Sequence, residues 1–510
     1  MSRTLASLAL LPVLAACAAE SRVAPSPAES VGIDYEVLMD EAGIPGLAVA
    51  VIEGGAIVSI ETLGVAGADS GMPVTPTTLF EAASLSKPVF ATAVLRLVER
   101  GELDLDLPLD RLLEYERVAH DTRAARIPAR LVLSHRTGLP NWGGETLELV
   151  GDPGEWFGYS GEGFVYLQRV VEHLTGLALD EVVRREVFEP LGMTASAFSF
   201  PEGETPALAA PHDEAGRQQE KRPAREGNAA ASLLTTAEDY ARFVVAWMRG
   251  DLLREATRAE ALTPVTRLAP APDDGDATDR AAVARVAWGL GWGILLPDDA
   301  GDGRPIYWHW GDNGPAKAFV AFEPEAGDGF VFFANSSNGL AIGEVLAREH
   351  LGEMELAFTW NGYRSLEAPG FAERLTGVVA EAEGRYADAL AAFRAAAAAD
   401  PDDEALGRRV EWIGDLLAAR ERPVEVAPEI LESYAGAYGP RRLTLEDGTL
   451  RYQRDGGAEY RLVPLTESLF ALDGLTIFRL EVVRGDDGVP SKLVGHYVNG
   501  QSDETPRDGT

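Results

Sequence analysis

A serine and a lysine three residues apart are the first side chains here that could do chemistry together. Ser84 and Lys87 open a helical pattern, with Pro88 in its first turn and Gly101 at its end. A helix that starts at Ser84 places the Lys87 amine over the Ser84 hydroxyl. A serine hydroxyl needs a neighbouring base, and a buried lysine with a lowered pKa is such a base. The spacing therefore indicates nucleophilic acyl transfer.

The Ser-x-x-Lys pattern is short and occurs by chance in many proteins. In this chain, however, lysine is scarce, because arginine supplies most of the basic side chains. The lysines are Lys87, Lys221, Lys317 and Lys492. Lys87 alone has a serine three residues before it, which makes the pattern more specific than its length suggests.

A further candidate for proton transfer is Tyr159, which lies in a loop before a helix that we expect to begin near Phe164. Acyl transfer requires a group that protonates the leaving atom or shares the work of the base. A tyrosine hydroxyl can do this. Tyr159 is therefore a candidate partner of Ser84 and Lys87.

Four segments of the chain together resemble a known family. They are Glu81–Lys87, Leu133–Pro140, Tyr159–Gly161 and His309–Gly311. In this order they are similar to the motifs of the class C β-lactamase-like serine hydrolases, in the β-lactamase and penicillin-binding-protein superfamily. That group includes D-alanyl-D-alanine peptidases, D-amino-acid peptidases, esterases and true β-lactamases. The resemblance covers roughly residues 33–351.

The resemblance implies a role for each matching residue. Ser84 would be the acylated nucleophile, and Lys87 with Tyr159 would move the proton. The oxyanion hole would be the backbone N–H groups of Ser84 and Asp312. Backbone donors suit this task because they are fixed before the negative charge develops.

The third motif would form another wall of the site, lined by His309 and Gly311. No cofactor or metal ion is implied, and the histidines of the chain show no metal-ligand spacing such as His-Glu-x-x-His. Gly161 departs from the family's pattern, which usually has an asparagine there that reaches the lysine and the substrate amide. The missing side-chain amide argues against efficient turnover of β-lactams and amides.

The favoured function is hydrolysis of small esters or D-amino-acid-containing peptides, including cell-wall peptides, through a Ser84 acyl-enzyme. The first alternative is a penicillin-binding D-alanyl-D-alanine carboxypeptidase or endopeptidase, or a β-lactamase. The second alternative is a non-catalytic binding protein on the same scaffold, since a fold does not fix a function.

The elements that position these residues are predicted from hydrophobic periodicity. Strand patterns occur both before and after a long helical stretch that runs from Ser84 to about Leu191. They cover residues 46–52, 56–63, 306–310, 318–322 and 329–335. Strands at both ends with helices between them indicate an α+β domain over residues 31–360, whose antiparallel sheet is closed by the two ends and accompanied by a helical subdomain.

Two further segments come after the motifs. Residues 365–425 are Ala-rich and helical, and they resemble one tetratricopeptide repeat, which is too little for an array and indicates a connector. Residues 428–507 carry short strands, which predict an antiparallel β meander or barrel. The strands are separated by the turn dipeptides Asp447-Gly448, Asp455-Gly456, Asp473-Gly474, Asp487-Gly488 and Asn499-Gly500.

The beginning of the chain has the layout of an export signal, with Arg3 before a short apolar stretch that is too short to span a membrane. It resembles a bacterial lipobox that ends at Cys17, the only cysteine in the chain. We therefore expect a lipoprotein signal peptide over residues 1–17, a tether over 18–30, and a protein of the bacterial cell envelope held by a lipid on Cys17.

The overall charge limits the kinds of partner that the protein can bind. The formal net charge is -36, and the acidic residues are spread along the whole chain. A surface of this sign repels a phosphate backbone, so nucleic-acid binding is excluded. The expected partners are a small-molecule or peptide substrate and a membrane reached through the lipid anchor alone.

Overall fold

The structure is a computed structural model and describes residues 32–200, 207–220, 224–268, 284–298 and 303–509. The predicted signal, the tether and Cys17 lie outside the described residues and stay predictions. Within the described ranges, no helix is long and apolar enough to cross a bilayer.

The part of the chain that carries the motifs is α+β, as the sequence predicts. Its helices are α1 (Tyr35–Ala42), α2 (Ser86–Glu99), α3 (Ala129–Leu133), α4 (Gly161–Thr175), α5 (Leu179–Val183), α6 (Glu189–Leu191), α7 (Ala237–Arg249), α8 (Glu255–Ala261), α9 (Gly343–His350) and α10 (Glu355–Trp360). Its strands are β1 (Gly46–Glu53), β2 (Ala56–Gly67), β3 (Met72–Pro73), β4 (Phe80–Ala83), β5 (Leu233–Thr235), β6 (Thr266–Arg267), β7 (Val286–Trp288), β8 (Gly293–Leu295), β9 (Ile306–Asp312), β10 (Lys317–Glu323) and β11 (Asp328–Ala334). Short 3₁₀ turns cover Leu109–Arg111, Thr122–Arg126 and Gly339–Ile342, and a π-helical turn covers Arg184–Phe188.

An antiparallel sheet organises this part, in the strand order β3-β2-β1-β11-β10-β9-β8-β7-β6. β1 pairs with β11, with Leu47 opposite Ala334, so the first and the last long strands lie side by side. The predicted closure of the sheet by the two ends of the domain is therefore confirmed. β9 extends two residues beyond the predicted end at Trp310, to Asp312.

Both faces of the central strands are covered. β1 and β10 are buried along almost their whole length. On one face, Val320 and Phe333 belong to a large core shared with α2, α4 and α7. On the other face, the Phe319 ring stacks on Phe358 of α10 with 4.4 Å between ring centroids. Burial on both faces explains why these strands read as continuous apolar runs in the sequence.

A separate two-stranded ladder, β4 with β5, leads into the Ser84 segment. All four residues of β4 are buried. In the helix after it, every residue from Ser86 to Leu95 is buried. A helix that is buried all round lies inside the core rather than on its surface, so α2 passes through the interior of the domain.

Residues 371–421 form three helices, α11 (Phe371–Ala382), α12 (Tyr386–Ala399) and α13 (Glu404–Glu421), and the short helix α14 (Pro428–Tyr434) comes next. Phe393 and Ile413 are fully buried between the helices, in a cluster that includes Val463 and Ala471 of the β domain. The three helices therefore pack against the β domain. The likeness to a tetratricopeptide repeat stays a prediction, as do the boundaries 365–425 and 428–507.

The last segment is an antiparallel sheet of eight strands that forms a nearly closed barrel, which confirms the predicted C-terminal β domain. Its strands are β12 (Gly436–Tyr438), β13 (Arg441–Glu446), β14 (Thr449–Arg454), β15 (Glu459–Pro464), β16 (Leu469–Leu472), β17 (Leu475–Arg484), β18 (Pro490–Tyr497) and β19 (Ser502–Pro506). The backbone N–H of Asp508 donates to Ala437 O and joins the two edges. Each of the five predicted turn dipeptides lies between two of these strands.

Candidate active site

Ser84 lies in a tight turn between β4 and α2. Ala83, directly before it, has a φ of +47°, a left-handed conformation that a non-glycine residue adopts at some cost. Ser86 fixes this turn, because its hydroxyl donates to Ala83 O at 2.6 Å and accepts from the Leu233 N–H at 3.0 Å. The helix begins at Ser86, two residues later than predicted. The backbone N–H of Lys87 still bonds to Ser84 O, so the expected one-turn spacing is kept.

The Lys87 amine is buried against the Ser84 hydroxyl. Lys87 Nζ and Ser84 Oγ are 3.0 Å apart, and Nζ also donates to Ala230 O at 2.8 Å. Lys87 forms no ion pair with the residues that the structure describes, and the Tyr159 ring covers it at 4.7 Å from Nζ to the ring centroid. Burial lowers the pKa of Lys87 from 10.5 to about 7. Near neutral pH, a large fraction of the amine is therefore uncharged and able to accept a proton.

Tyr159 is held in place by His135. The backbone N–H of Gly158 donates to His135 O at 2.8 Å, and that of Ser160 donates to His135 Nδ1 at 3.0 Å. The Tyr159 ring stacks on the imidazole with 4.2 Å between centroids. The peptide segment on both sides of Tyr159 is thus bound to one histidine, which positions the tyrosine beside Lys87.

Two buried ring nitrogens near Lys87, His135 Nε2 and His309 Nε2, have no hydrogen-bond partner among the described residues. The Tyr159 hydroxyl is close to the Ser84 hydroxyl. Burial raises the pKa of Tyr159, and the nearby Ser84 hydroxyl lowers it by less, so the phenol keeps its proton at neutral pH. Buried polar groups are normally paired. A bound substrate or water would supply the partners that the two ring nitrogens lack.

His309 is an uncharged acceptor in this arrangement. Its Nδ1 lies 2.8 Å from Trp310 O and must carry the proton, because a carbonyl oxygen only accepts. Its Nε2 is therefore the unprotonated nitrogen. Burial, followed by the nearby Lys87 charge, lowers the pKa of His309 to about 3. The third wall of the site offers a hydrogen-bond acceptor at neutral pH and no positive charge.

Gly311 allows β9 to approach the nucleophile strand closely. A Cβ atom at residue 311 would lie 2.4 Å from Ala82 O, which is too short for any side chain. Just beyond this contact, the Asn313 side chain donates to Glu81 Oε2 at 2.8 Å. The end of β9, including Asp312, is therefore attached to β4 next to Ser84. The oxyanion role of the Asp312 and Ser84 N–H groups stays a prediction.

The Asp312 side chain links this strand to the segment after α10. Its carboxylate lies 2.5 Å from Lys317 Nζ and accepts from the Tyr363 hydroxyl at 2.6 Å. Burial alone would raise its pKa, but Lys317 and the hydrogen bonds lower it on balance. The carboxylate stays ionised and fixes the end of β9.

The position of Gly161 is explained by Trp142. A Cβ atom at residue 161 would lie 2.8 Å from Trp142 Cη2 and 2.9 Å from Asn141 O. The indole thus occupies the place where a longer side chain at 161 would begin, and half of its surface is exposed. α4 begins at Gly161, three residues earlier than predicted, because the Ser160 hydroxyl caps it by accepting from the Gly163 N–H.

The loop that carries Trp142 is firmly attached to the start of α4. Asn141 O accepts from the backbone N–H groups of both Gly161 and Glu162. The buried Glu162 carboxylate pairs with Arg117 through two short contacts and accepts from the Gly143 N–H at 3.0 Å. Residues on both sides of Trp142 are therefore fixed, which holds the indole against Gly161.

Aromatic side chains from distant segments complete the surroundings of the site. Trp310 approaches Tyr159 at 4.7 Å, Trp288 approaches His309 at 5.5 Å, and Trp360 approaches Trp310 at 5.8 Å between ring centroids. The sequence motifs point to Trp310 only. Trp288, Trp360 and Trp142 carry no motif of their own, and the one sequence signal for Trp142 is the glycine that replaces asparagine at 161.

The structure brings together the predicted catalytic side chains, Ser84, Lys87 and Tyr159, with His309 on a neighbouring strand. These segments are far apart in the sequence and meet between β4, α2, α4 and β9. A hydroxyl beside a desolvated amine, with a protonated phenol close by, is an arrangement suited to serine acyl transfer. Cys17 lies outside the described residues.

Comparison with known proteins agrees with this fold. Residues 35–352 match the "Beta-lactamase" family model. The chain is 27% identical to penicillin-binding protein 4 of Amycolatopsis lactamdurans over 345 residues, which cover 63% of this chain and 88% of that protein. It is 30% identical to esterase EstB of Burkholderia gladioli over 325 residues, or 53% and 80% of the two chains.

Solved structures show the same architecture. The octameric penicillin-binding protein homologue from Pyrococcus abyssi aligns over 93% of this chain and 100% of its own, with a TM-score of 0.51 and 18% identity. A class C β-lactamase aligns over 59% of this chain and 89% of its own, with a TM-score of 0.50 and 21% identity. At this identity the likeness concerns the fold. The chain belongs to the β-lactamase family of serine hydrolases.

The lowered pKa of Lys87 predicts the pH dependence of the reaction. The amine loses its proton as the pH rises through about 7, so kcat/KM for an ester should rise up to that pH and level off above it. The profile is measured with p-nitrophenyl acetate, read at a wavelength that the ionisation of the product does not affect. Lys87→Arg keeps a charge that cannot dissociate and should lose about 100-fold or more in rate. A flat profile in the wild type would contradict the proposed base.

The contact at Gly311 predicts the effect of one added methyl group. In Gly311→Ala, the methyl would press on the backbone of Ala82 and displace β9 from β4, at a cost of about 1–3 kcal/mol in unfolding free energy and with loss of kcat. Denaturant unfolding and ester turnover measure the two effects. Gly414→Ala, in α13 with open space around it, is the matched control; it should keep the wild-type kcat and raise the unfolding free energy by up to about 1 kcal/mol, because alanine favours the helix. If Gly311→Ala keeps the wild-type kcat, the close approach of β9 to β4 is not needed for turnover.

Proposed function

We propose that this protein is a serine hydrolase that acts through a Ser84 acyl-enzyme on small esters or D-amino-acid-containing peptides. The observation that carries the proposal is the buried Lys87 amine, whose pKa is lowered to about 7, at 3.0 Å from the Ser84 hydroxyl. Ser84 itself is only partly buried, so a substrate carbonyl can reach it.

The proposed reaction has two stages. Uncharged Lys87 accepts the proton of Ser84 while Oγ attacks the substrate carbonyl carbon, and the N–H groups of Ser84 and Asp312 stabilise the oxyanion. The C–O bond to the leaving group then breaks, and Tyr159 passes a proton from Lys87 to the leaving oxygen. In the second stage, water gives a proton to the same pair while its oxygen attacks the acyl carbon. The bond between that carbon and Ser84 Oγ then breaks, and the pair returns the proton to Oγ, which releases the acid and free Ser84.

The surroundings of Ser84 favour esters over amides and anionic substrates. An ester has no N–H that needs a side-chain acceptor, and the Trp142 indole leaves no room at Gly161 for an amide side chain. His309, uncharged at neutral pH, gives no attraction to a substrate carboxylate. Together, these features support an apolar, neutral acyl donor, and the similarity to an esterase agrees with it.

Similarity to penicillin-binding protein 4 supports the alternative, a D-alanyl-D-alanine carboxypeptidase or endopeptidase that penicillin acylates, or a β-lactamase. A non-catalytic binding role on the same scaffold is the further alternative. For the cellular setting, we propose export to the bacterial cell envelope and attachment through a lipid on Cys17, where small esters and cell-wall peptides are accessible substrates.

Ester turnover by purified protein tests the proposed nucleophile. Wild-type protein should hydrolyse p-nitrophenyl acetate and butyrate, and Ser84→Ala should lose the activity because no acyl acceptor remains. The matched control is Ser502→Ala, an exposed serine on β19, which should keep the wild-type rate. Intact mass after treatment with a fluorophosphonate should show one adduct, absent in Ser84→Ala.

The same proteins separate the alternatives. A long-lived penicillin adduct on Ser84 without ester turnover would support the penicillin-binding role. Rapid loss of penicillin with release of its hydrolysed form would support a β-lactamase. If the wild type hydrolyses no ester and forms neither the penicillin adduct nor the fluorophosphonate adduct, the result would support the non-catalytic binding role.

We propose that the exposed part of the Trp142 indole lines the acyl site, so its removal should alter substrate choice. Trp142→Ala removes an apolar wall and should raise the KM for p-nitrophenyl butyrate about fivefold, equivalent to about 1 kcal/mol of contact. The double variant Trp142→Ala/Gly161→Asn relieves the clash with the indole but keeps the 2.9 Å approach of the Cβ to Asn141 O, so it should hydrolyse a D-alanine p-nitroanilide no faster than the wild type. Steady-state kinetics on both substrates measure these changes.

Two controls belong to this experiment. Val150→Ala removes an exposed apolar side chain at another position and should leave KM unchanged. Gly161→Asn alone should be impaired, because its Cβ would meet the indole. An unchanged KM for both esters in Trp142→Ala would show that the indole does not line the acyl site.

A further inference from the structure

A cavity of about 330 Å³ lies apart from the Ser84 site, where the motif-bearing part of the chain meets the helical segment and the β domain. Its walls come from β10, the loop after α10, helices α11 and α13, and the turn between β18 and β19. The proposed catalytic side chains Ser84, Lys87 and Tyr159 do not line it. The charged side chains that line it are Glu214, Lys317, Arg364, Arg374, Asp403 and Arg409.

The charge of this lining is opposite to that of the whole chain. Four cationic side chains face two carboxylates, in a protein whose formal net charge is -36. Elsewhere, so acidic a surface repels anions. The lining thus holds more cationic than anionic side chains, and carboxylates just outside it, those of Asp312, Glu381 and Asp400, pair with three of the cations.

Most of these cations have a close carboxylate partner. Lys317 pairs with Asp312 at 2.5 Å, Arg409 with Glu381 at 2.9 Å, and Arg364 with both Asp400 and Asp403. Arg374 is different. In the part of the chain that the structure describes, its ion pair is a long one, 3.5 Å from Nη1 to Glu214 Oε2.

The Arg374 guanidinium is also short of hydrogen bonds. Its Nε is buried without an acceptor among the described residues, and the same holds for Arg409 Nε. A guanidinium carries five donors in a planar fork, and burial of unpaired donors is costly. Burial lowers the pKa of Arg374, and the positive charges of Arg409 and Arg364 lower it further, although Glu214 opposes them. An anion in the cavity would accept hydrogen bonds from the unpaired guanidinium donors and would offset the positive charge of Arg374.

The start of one helix also lines the cavity. Ala405 and Leu406, in the first turn of the 18-residue helix α13, line the cavity. The Asp403 side chain caps this end by accepting from the Leu406 N–H at 3.0 Å, so its carboxylate offsets the partial positive charge of the helix end. Phe371, at the start of α11, supplies an apolar wall beside them.

We propose that this cavity binds a small metabolite through an oxyanion group, a carboxylate or a phosphate, with Arg374 as its bidentate partner. The planar fork of an arginine matches both groups in geometry and charge. The volume is in the range of small-molecule sites and too small for a folded partner. The cavity is thus a second ligand site, lined by side chains other than Ser84, Lys87 and Tyr159.

Calorimetric titration of the full-length protein with inorganic phosphate and, separately, with citrate at low ionic strength tests the proposal. We expect saturable binding with one site per chain. Arg374→Gln should weaken it about tenfold or more, because a charge-assisted bidentate contact is lost. Arg394→Gln, on the exposed face of α12, is the matched control and should bind as the wild type does.

The results with phosphate and with citrate show which class of ligand the cavity prefers. Binding of phosphate alone supports a phosphorylated ligand, and binding of citrate alone supports a polycarboxylate. Arg409→Gln is a second variant in case Arg374→Gln does not fold, and thermal unfolding shows which variants are folded. Absence of binding of either anion at millimolar concentrations, or wild-type affinity in folded Arg374→Gln and Arg409→Gln, would overturn the proposal.

Discussion

The free-energy cost of burying the Lys87 amine is the constraint on which this structure depends. An ammonium group without a counter-charge is poorly tolerated in a dry interior, so the lysine gives up its proton at a pH near 7 instead of 10.5. The buried helix α2, the Tyr159 ring and the Phe164 ring keep water and carboxylates away from it. A carboxylate in that position would restore the charge and remove the base. The apolar packing around α2 is therefore part of the chemistry.

Close backbone approach is the second requirement, and it connects the site to the rest of the chain. Gly311 lets β9 touch β4, and Asp312 then binds both Lys317 and Tyr363. Because Tyr363 lies in the segment that leads into α11, the helices after the motifs take part in fixing the end of β9. The C-terminal segments thereby contribute to the geometry beside Ser84.

The replacement of an asparagine by Gly161 is compensated by a residue from another loop. Trp142 fills the space next to Gly161 and is held there through Asn141, Gly143 and the Arg117–Glu162 ion pair. An apolar, partly exposed indole has taken the place of a polar amide. The indole presents an apolar surface beside Gly161, and one fold can support different acyl transfers when the surroundings of its reacting groups differ.

The sequence by itself determined the strands, the β-domain turns and the spacing of Ser84 and Lys87, because these depend on local backbone preferences and periodicity. Asp447 and Gly448 illustrate this, since both adopt the positive φ that their hairpin needs. Helix starts were displaced by two or three residues, where the Ser86 and Ser160 hydroxyls fix the chain. Only the tertiary structure decided how His135 holds Tyr159 by hydrogen bonds and ring stacking, where Trp142 contacts Gly161, and where the arginine-lined cavity forms. Each depends on groups distant in sequence, whose burial and distances no local pattern contains.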